Sequence, residues 1–373
     1  MAEQSVCETL LGVQCVRPPM LSSMWGTDRS SRSARSCLLF SSLPPACMAA
    51  HTYGFRRNIK VPNMRLWKHQ QEALDLCRAQ LRDDGSRVLV QLPPGAGKTE
   101  VGALCAIDWL KGGPFRKVLI AVPTSPILRQ YHKRLVQLTT IPISVEKASR
   151  VVHGRPRLTL ASQASLWNRI ERYSTDTLFI IDECHHSNYD APENLRLVQR
   201  FARVVGLSAS PWSQGCSKLF GQSDSYFMSL REAQGAHLAA PYEIKPWVPE
   251  RGPWALVFCS TNNECAERSA ARLGSSWVGV NVPAALVAQR VRAWQGRRVD
   301  VLYVNRMLLE GFDEKRCSNV WIAKDCESQI MMVQMVGRAL RYVNGKCAEI
   351  YCTSPQMIER VQAALERLNT RTF

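Results

Sequence analysis

No run of 18 apolar residues occurs anywhere in the 373-residue sequence, which excludes a membrane-spanning helix by length alone. None of the 14 cysteines stands in C-x-x-C spacing with another, which argues against zinc ribbons and dithiol redox centres. A secretory leader with a clear apolar h-region is lacking. The cysteines therefore read as buried, reduced thiols of an intracellular protein, cytoplasmic or nuclear and not secreted, rather than as a disulfide framework. Heptads, low-complexity tracts and short-period repeats are also missing, which leaves out coiled coils and solenoids. Acidic residues are few: 31 Asp+Glu face 48 Lys+Arg, a formal net charge of +17. Such an excess favours a polyanionic partner. What is present is the composition of a folded globular protein, 46% hydrophobic and 21% charged. The length predicts two domains.

Residues 1–63 differ from the rest. They are rich in Ser, Arg and Pro and carry a net +4 without sustained periodicity. Three readings stay open: a disordered basic arm, a transit peptide, or translation upstream of a true start at Met48 or Met64. From residue 64 onward, short β-branched apolar runs alternate with amphipathic stretches. Strands are expected at Arg87–Leu92, Lys117–Val122, Leu158–Ala161, Thr177–Ile181 and Val204–Ser208. Helices are expected near Leu66–Gln80, Lys98–Leu110, Pro126–Leu138 and Glu193–Ala202. Fully apolar strands alternating with helices predict an α/β fold, a mainly parallel sheet with helices on both faces. Residues 214–253, rich in Gly, Ser and Pro, read as a linker. A second β/α series occupies 254–373, with strands at Trp254–Cys259, Val299–Asn305, Asn319–Ala323 and Ala348–Cys352. Its helices are expected at about 263–273, 284–295, 328–341 and 354–368. The basic excess is shared, +8 over 64–213 and +5 over 254–373. A surface made by both halves could therefore track a phosphate backbone.

Three constellations carry chemistry. The first is Leu92-Pro93-Pro94-Gly95-Ala96-Gly97-Lys98-Thr99, between an apolar strand and a helical pattern. Glycines let backbone N–H groups curl around a phosphate chain, and the following helix adds the positive end of its dipole. Lys98 is expected to reach the β- and γ-phosphates and Thr99 to hold Mg²⁺. The full pattern wants Gly where Leu92 stands. The second is Asp182-Glu183-Cys184-His185, closing the apolar run Phe179–Ile181. Two carboxylates at a buried strand end require a cation nearby. Asp182 suits the nucleotide metal, and Glu183 suits polarisation of a water. Zinc binding by His185 and His186 is disfavoured, because adjacent histidines lack the i, i+4 spacing of a helical pair. The third is Gln334-Met-Val-Gly337-Arg338-Ala-Leu-Arg341. On one helix Gln334, Arg338 and Arg341 would share a face, as suits a phosphate transition state.

Together these segments resemble superfamily 2 helicases of the DExH type. The motifs stand in the family's order from about residue 66 to 341. Leu66–Gln70 resembles the segment whose glutamine recognises adenine, which implies a Gln70–adenine contact. Pro94–Thr99 matches motif I, and Pro123-Thr124 through Gln130 matches motif Ia. Ser162–Leu166 resembles the next strand-contacting motif. Asp182–His185 is motif II, spelled DECH, and Leu207–Pro211 resembles motif III. Ser260-Thr261 closes a motif IV, Leu309–Asp313 resembles motif V, and Gln334–Arg341 matches motif VI without substitution. Leu309 stands where many relatives carry Thr. The compact length is also similar to that of helicases of large DNA viruses.

The resemblance implies two RecA-like P-loop lobes, an ATP-binding one at 64–213 and a C-terminal one at 254–373. ATP and Mg²⁺ would sit between them. Lys98, Thr99, Asp182 and Glu183 would come from the first lobe, Gln334, Arg338 and Arg341 from the second. His185 would couple the nucleotide cleft to motif VI. Pro123, Thr124, Gln130, Ser162, Ser260, Thr261, Gly311 and Asp313 would meet DNA or RNA, mostly through its backbone. The implied activity is ATP-dependent translocation on, or unwinding of, nucleic acid. The alternative is an ATPase that remodels protein–nucleic acid complexes without separating strands.

Overall fold

The computed structural model describes residues 66–373 except 149, 155, 187–188 and 306–313. The proposed arm at 1–63 and the motif V positions Leu309, Gly311 and Asp313 lie outside the described residues. In chain order the first half runs α1 (Lys68–Gln80), β1 (Arg87–Gln91), α2 (Lys98–Lys111), β2 (Val118–Val122), α3 (Ser125–Leu138), β3 (Ile143–Glu146), β4 (Leu158–Ser162), α4 (Gln163–Leu166), β5 (Leu178–Asp182), α5 (Pro192–Gln199), β6 (Arg203–Ser208), α6 (Gln214–Phe220) and β7 (Asp224–Phe227). These strands pair in the order β3-β4-β2-β5-β6-β1-β7, and every described pairing is parallel.

The alternation of a strand's side chains splits its residues between two cores. Val88 and Val90 of β1 and Ile180 of β5 face one buried cluster. Leu89, Phe179 and Ile181 face the other, with Phe201, Val204 and Phe220. Both faces are covered, which is why these strands read as unbroken apolar runs.

The second half follows as α7 (Leu230–Gly235), β8 (Tyr242–Pro246), β9 (Ala255–Phe258), α8 (Asn262–Ala270), β10 (Ser275–Val278), α9 (Ala284–Gln295), β11 (Val301–Val304), β12 (Asn319–Ile322), α10 (Gln329–Val336), β13 (Ala348–Cys352) and α11 (Pro355–Arg367). The order is β10-β11-β9-β12-β13-β8, again parallel throughout the described pairs. Trp321 on β12 is fully buried, stacks on Tyr351 at 4.5 Å and donates its indole N–H to the Val248 carbonyl at 2.9 Å. Truncating a large buried aromatic typically costs about 3–5 kcal/mol. Trp321→Ala should lose that much in a denaturant titration; a loss near zero would mean this face is not tightly packed.

Two sequence expectations need correction. Residues 214–253 are not a plain linker. β7 extends the first sheet beside β1, and β8 extends the second beside β13. Both are short, partly exposed edge strands, so neither shows the apolar run that marked the inner ones. The crossing between sheets is confined to the stretch around α7. Similarly, the chain after α11 does not stay with the second sheet. The buried Gln91 side chain donates to Thr370 O at 3.4 Å and accepts from Thr372 N at 3.3 Å, at the end of β1. One hydrophobic cluster also runs through both halves, from Val88 and Leu104 to Val336 and Leu365.

Candidate nucleotide site

The candidate residues gather at the carboxyl ends of parallel strands, where open α/β sheets place their ligands. β1 ends at Gln91, and the loop Leu92–Gly97 leads into α2. Gly95 and Gly97 take φ values of 93° and 90°, a region that favours glycine. A Cβ on Gly97 would stand 2.3 Å from Gln70 Nε2, so the loop also needs glycine for close approach. His69, which the sequence reading passed over, ties the loop down through an Nε2···Ala96 O contact of 2.8 Å. Gln70 Oε1 accepts the Trp67 amide at 3.2 Å. Leu92, Pro93 and Ala96 open and line the turn of this loop with their side chains turned inward. They are buried, and the Leu92 side chain belongs to the core. That explains why Leu replaces the expected glycine: its amide pairs with Ser208 O at 3.1 Å and its side chain packs inward. Pro94 instead faces the second lobe.

Glu183 follows the last residue of β5 with φ of 51°, an uncommon conformation for a non-glycine residue. Strain of this sort clusters at functional sites. The turn points its carboxylate between two neighbours: Oε1 is 3.7 Å from Lys98 Nζ, and Oε2 is 3.4 Å from His185 Nδ1. Lys98 Nζ also donates to Leu92 O at 3.4 Å. Cys184 is fully buried, its Sγ 3.5 Å from that of Cys216, so it serves packing.

His185 is buried and stands at a junction. Its Nδ1 lies 2.8 Å from Ser208 Oγ, and its Nε2 lies 3.0 Å from Gln334 Nε2 of the second lobe. The Gln334 amide donates to Nε2, which leaves Nδ1–H for Ser208 and Glu183. Ser208 Oγ in turn accepts the Ser210 amide at 3.0 Å.

The motif VI segment departs from its expected shape. α10 ends at Val336, with Gly337 as its C-cap, so Gln334 is helical, whereas Arg338 lies in the turn beyond and Arg341 in an antiparallel β-bridge with Ala239. Gly337 presses on the phosphate loop: a Cβ there would meet Pro94 at 3.0 Å and Val333 O at 2.8 Å. Ending the helix at this glycine brings the arginines over the loop. Arg341 Nη1 is 3.3 Å from where a Cβ on Gly95 would lie. The Leu340 carbonyl is held by the Ala240 amide at 2.9 Å.

These groups surround one cavity of about 240 Å³, lined by Gly95, Gly97, Lys98, Thr99, Asp182, Glu183, Arg338 and Arg341. Both lobes therefore supply its wall. A glycine cradle that a Cβ would fill, with Lys98 at its mouth and Thr99 and Asp182 beyond, fits a nucleotide triphosphate and its Mg²⁺. A larger cavity of about 830 Å³ lies at the opposite ends of β1 and β7. Its Arg87 guanidinium is already engaged by the carbonyls of Gly85, Ser86, Gln199, Phe201 and Ala202, so it offers no anion site.

α3 supplies the remaining side of the smaller cavity, and the sequence reading did not anticipate this. Gln130, expected on nucleic acid, lines the cavity with Arg134. Arg134 forms a two-pronged ion pair with Glu100, 2.6 Å at each contact. Ile127, Gln130 and Arg134 share a helical face, the signal that could have found them. The other described nucleic-acid candidates are not among the residues that line the cavity. Pro123 and Thr124 follow β2 and are half-buried, and Ser162 stands at the N-cap position of α4 without a side-chain capping bond. Ser260 and Thr261 are exposed after β9, and Thr261 Oγ1 accepts the Glu264 amide at 3.1 Å to cap α8.

The chain is similar in sequence and in fold to several known proteins. The family described as type III restriction enzyme, res subunit, matches residues 63–213. The mouse ATP-dependent RNA helicase DHX58 is 25% identical over 185 residues, 42% of this chain and 27% of that protein. The Candida albicans ATP-dependent DNA helicase MPH1 is 26% identical over 149 residues, 34% of this chain and 12% of that one. The matched segment thus spans about a quarter or less of these relatives. Among solved structures, Saccharomyces cerevisiae Dbp5 bound to RNA and ADP BeF3 superposes with a TM-score of 0.62 at 13% identity. It covers 88% of this chain and 92% of that one. The type ISP restriction-modification enzyme LlaBIII bound to DNA gives 0.65 at 16% identity, covering 83% and 30%. The shared fold is that of two RecA-like lobes.

Proposed function

We propose that this chain is a superfamily 2 helicase and works as a nucleic-acid-driven ATP hydrolase, coupling turnover to movement on or unwinding of DNA or RNA. The observation that carries the reading is the shared cavity. Lys98, Thr99, Asp182 and Glu183 of one lobe and Arg338 and Arg341 of the other surround the same space.

Lys98 and the loop amides bind the β- and γ-phosphates. Thr99 and Asp182 hold Mg²⁺, which when bound neutralises charge on the phosphate oxygens. Glu183 accepts hydrogen-bond donation from the attacking water and orients it in line with the γ-phosphate. Arg338 and Arg341 stabilise charge developing on that phosphate. Gln334, through His185, links the water-positioning carboxylate to the second lobe. Separating the lobes breaks this link, so hydrolysis depends on their closure. Nucleic acid lying across both lobes favours the closed arrangement, and the basic balance of each half supports such a partner.

ATPase rates measured with single- and double-stranded DNA and RNA test the reading, alongside a strand-displacement assay. Stimulation by one of these polymers is expected; ATP turnover indifferent to all four would reject a nucleic-acid-driven enzyme. Arg341→Lys probes the cleft more finely. Lysine keeps a charge but loses the planar fork that spreads hydrogen bonds over several oxygens. Stimulated kcat should fall by roughly 10²-fold, the scale of one lost transition-state donor. Nucleotide affinity without nucleic acid should hardly change, and an equal fall in both would make Arg341 a ground-state or structural residue.

A further inference from the structure

One side chain staples the loop that follows Arg341. Lys346 stands two residues before β13, just past a turn at Asn344-Gly345. Gly345 takes a φ of 75° there, and the Lys346 amide donates to Val343 O at 3.0 Å. The half-buried Lys346 side chain turns back on the loop. Its ammonium donates to the Arg341 carbonyl at 2.8 Å and to the Lys315 carbonyl at 2.9 Å. Hydrogen bonds from a charged donor are roughly twice as strong as neutral ones. Neighbouring anions do not account for a lysine at this position. Glu314 is already gripped by Arg316 at 2.7 and 2.8 Å. Burial pushes the Cys317 thiol up to about 12, so it stays neutral. Burial also pushes the Lys346 ammonium down to about 8, and the like charge of Arg341 adds to that. The charge is thus kept at a cost, and the two carbonyl contacts are what offsets it.

We propose that Lys346 is a positioning residue for Arg341: by tying the Arg341 carbonyl to that of Lys315, it fixes the backbone from which the guanidinium reaches the phosphate loop. Arg341 is also held by its antiparallel bridge to Ala239, and the preceding Leu340 carbonyl by the Ala240 amide. The ammonium completes the hold from the side of β13. This rests on the nucleotide reading of the cavity. Lys346 does not line that cavity and acts only through Arg341. A reacting or charge-stabilising group misplaced by about 1 Å can cost roughly 10²-fold in rate.

Two variants test it. Lys346→Met removes the charge and keeps an unbranched chain, whereas Lys346→Arg keeps a charge that does not titrate. Lys346→Met should lower nucleic-acid-stimulated kcat about tenfold, the scale of one charge-assisted hydrogen bond. ATP affinity without nucleic acid should be unaffected. Added to Arg341→Lys, the same substitution should cost nothing more. In the parent, stimulated kcat should fall as pH rises through about 8, where the ammonium loses its proton. Lys346→Arg should lack that alkaline limb. An unchanged stimulated kcat in Lys346→Met overturns the proposal, as do additive losses in the double variant or the same alkaline limb in Lys346→Arg. An equal fall in ATP affinity and kcat also overturns it, in favour of a folding role. Should Lys346→Met fail to fold, the pH profiles of the parent and Lys346→Arg decide alone. A parent without stimulated turnover overturns the nucleotide reading and this proposal together, whereas a stimulated parent beside an unaffected variant overturns this proposal alone.

Discussion

Lys98→Ala is expected to reduce ATP turnover by roughly 10³-fold, the upper scale for removal of one charged donor from a phosphoryl-transfer site. Lys98 Nζ lies 3.4 Å from Leu92 O and 3.7 Å from Glu183 Oε1, and its side chain is only 11% exposed. It is the cation the loop presents to the cavity from within its own curl. Alanine removes that charge, and it also leaves Glu183 without its ion-pair partner. Binding and turnover should therefore both fall. ATP hydrolysis, nucleotide binding and a thermal melt on the same sample decide the matter. Near-parental hydrolysis by a folded Lys98→Ala protein would remove the phosphate role from this loop.

Glu183→Gln should fall at least as far in turnover, by about 10³-fold, while binding survives. The amide keeps the size of the carboxylate and the strained turn that carries it. What is lost is the negative acceptor that would take the water's hydrogen bond. Its neighbours remain in place: Lys98 at 3.7 Å and His185 at 3.4 Å. With the repulsion between Glu183 and the phosphates gone, ATP should bind as well as before, and the closed, nucleic-acid-bound form should accumulate. Equilibrium binding of ATP and of a labelled oligonucleotide, beside the hydrolysis rate, gives the answer. Hydrolysis at the parental rate would mean that another group positions the water. Loss of ATP binding would mean that Glu183 serves mainly to hold Lys98. The contrast between the two variants is itself informative. Lys98→Ala should lose affinity and rate together, whereas Glu183→Gln should lose rate alone.

Much of the nucleotide site was legible because its chemistry is local. Gly95, Gly97, Lys98 and Thr99 stand together in sequence, and the phosphate cradle they form depends on backbone conformations that glycine alone favours. Asp182 and Glu183 close an apolar strand, and the parallel sheet brings that strand end near the loop. The inner strands were legible for a related reason: a strand buried on both faces must be apolar at every position. The edge strands β7 and β8 escaped because one solvated face removes that requirement. The stretch that contains them therefore read as linker.

Other features were decided only when distant segments met. Leu92 looked like a defect in the phosphate loop, yet it is a core residue, because the loop's start is buried under β6. Arg338 and Arg341 looked helical from their spacing. The helix ends at Gly337 because that glycine packs on Pro94 of the other lobe, a contact between residues more than 200 positions apart in sequence. Gln130, expected on the nucleic-acid surface, lines the nucleotide cavity instead, with Arg134 beside it, because α3 lies against α2. His69 carries no motif at all and matters through one ring nitrogen's approach to the Ala96 carbonyl, 27 positions away. Local chemistry thus set which residues could cradle phosphate and cation. Tertiary packing, which sequence periodicity does not encode, set which residues hold them in place and bring the second lobe's arginines over the loop.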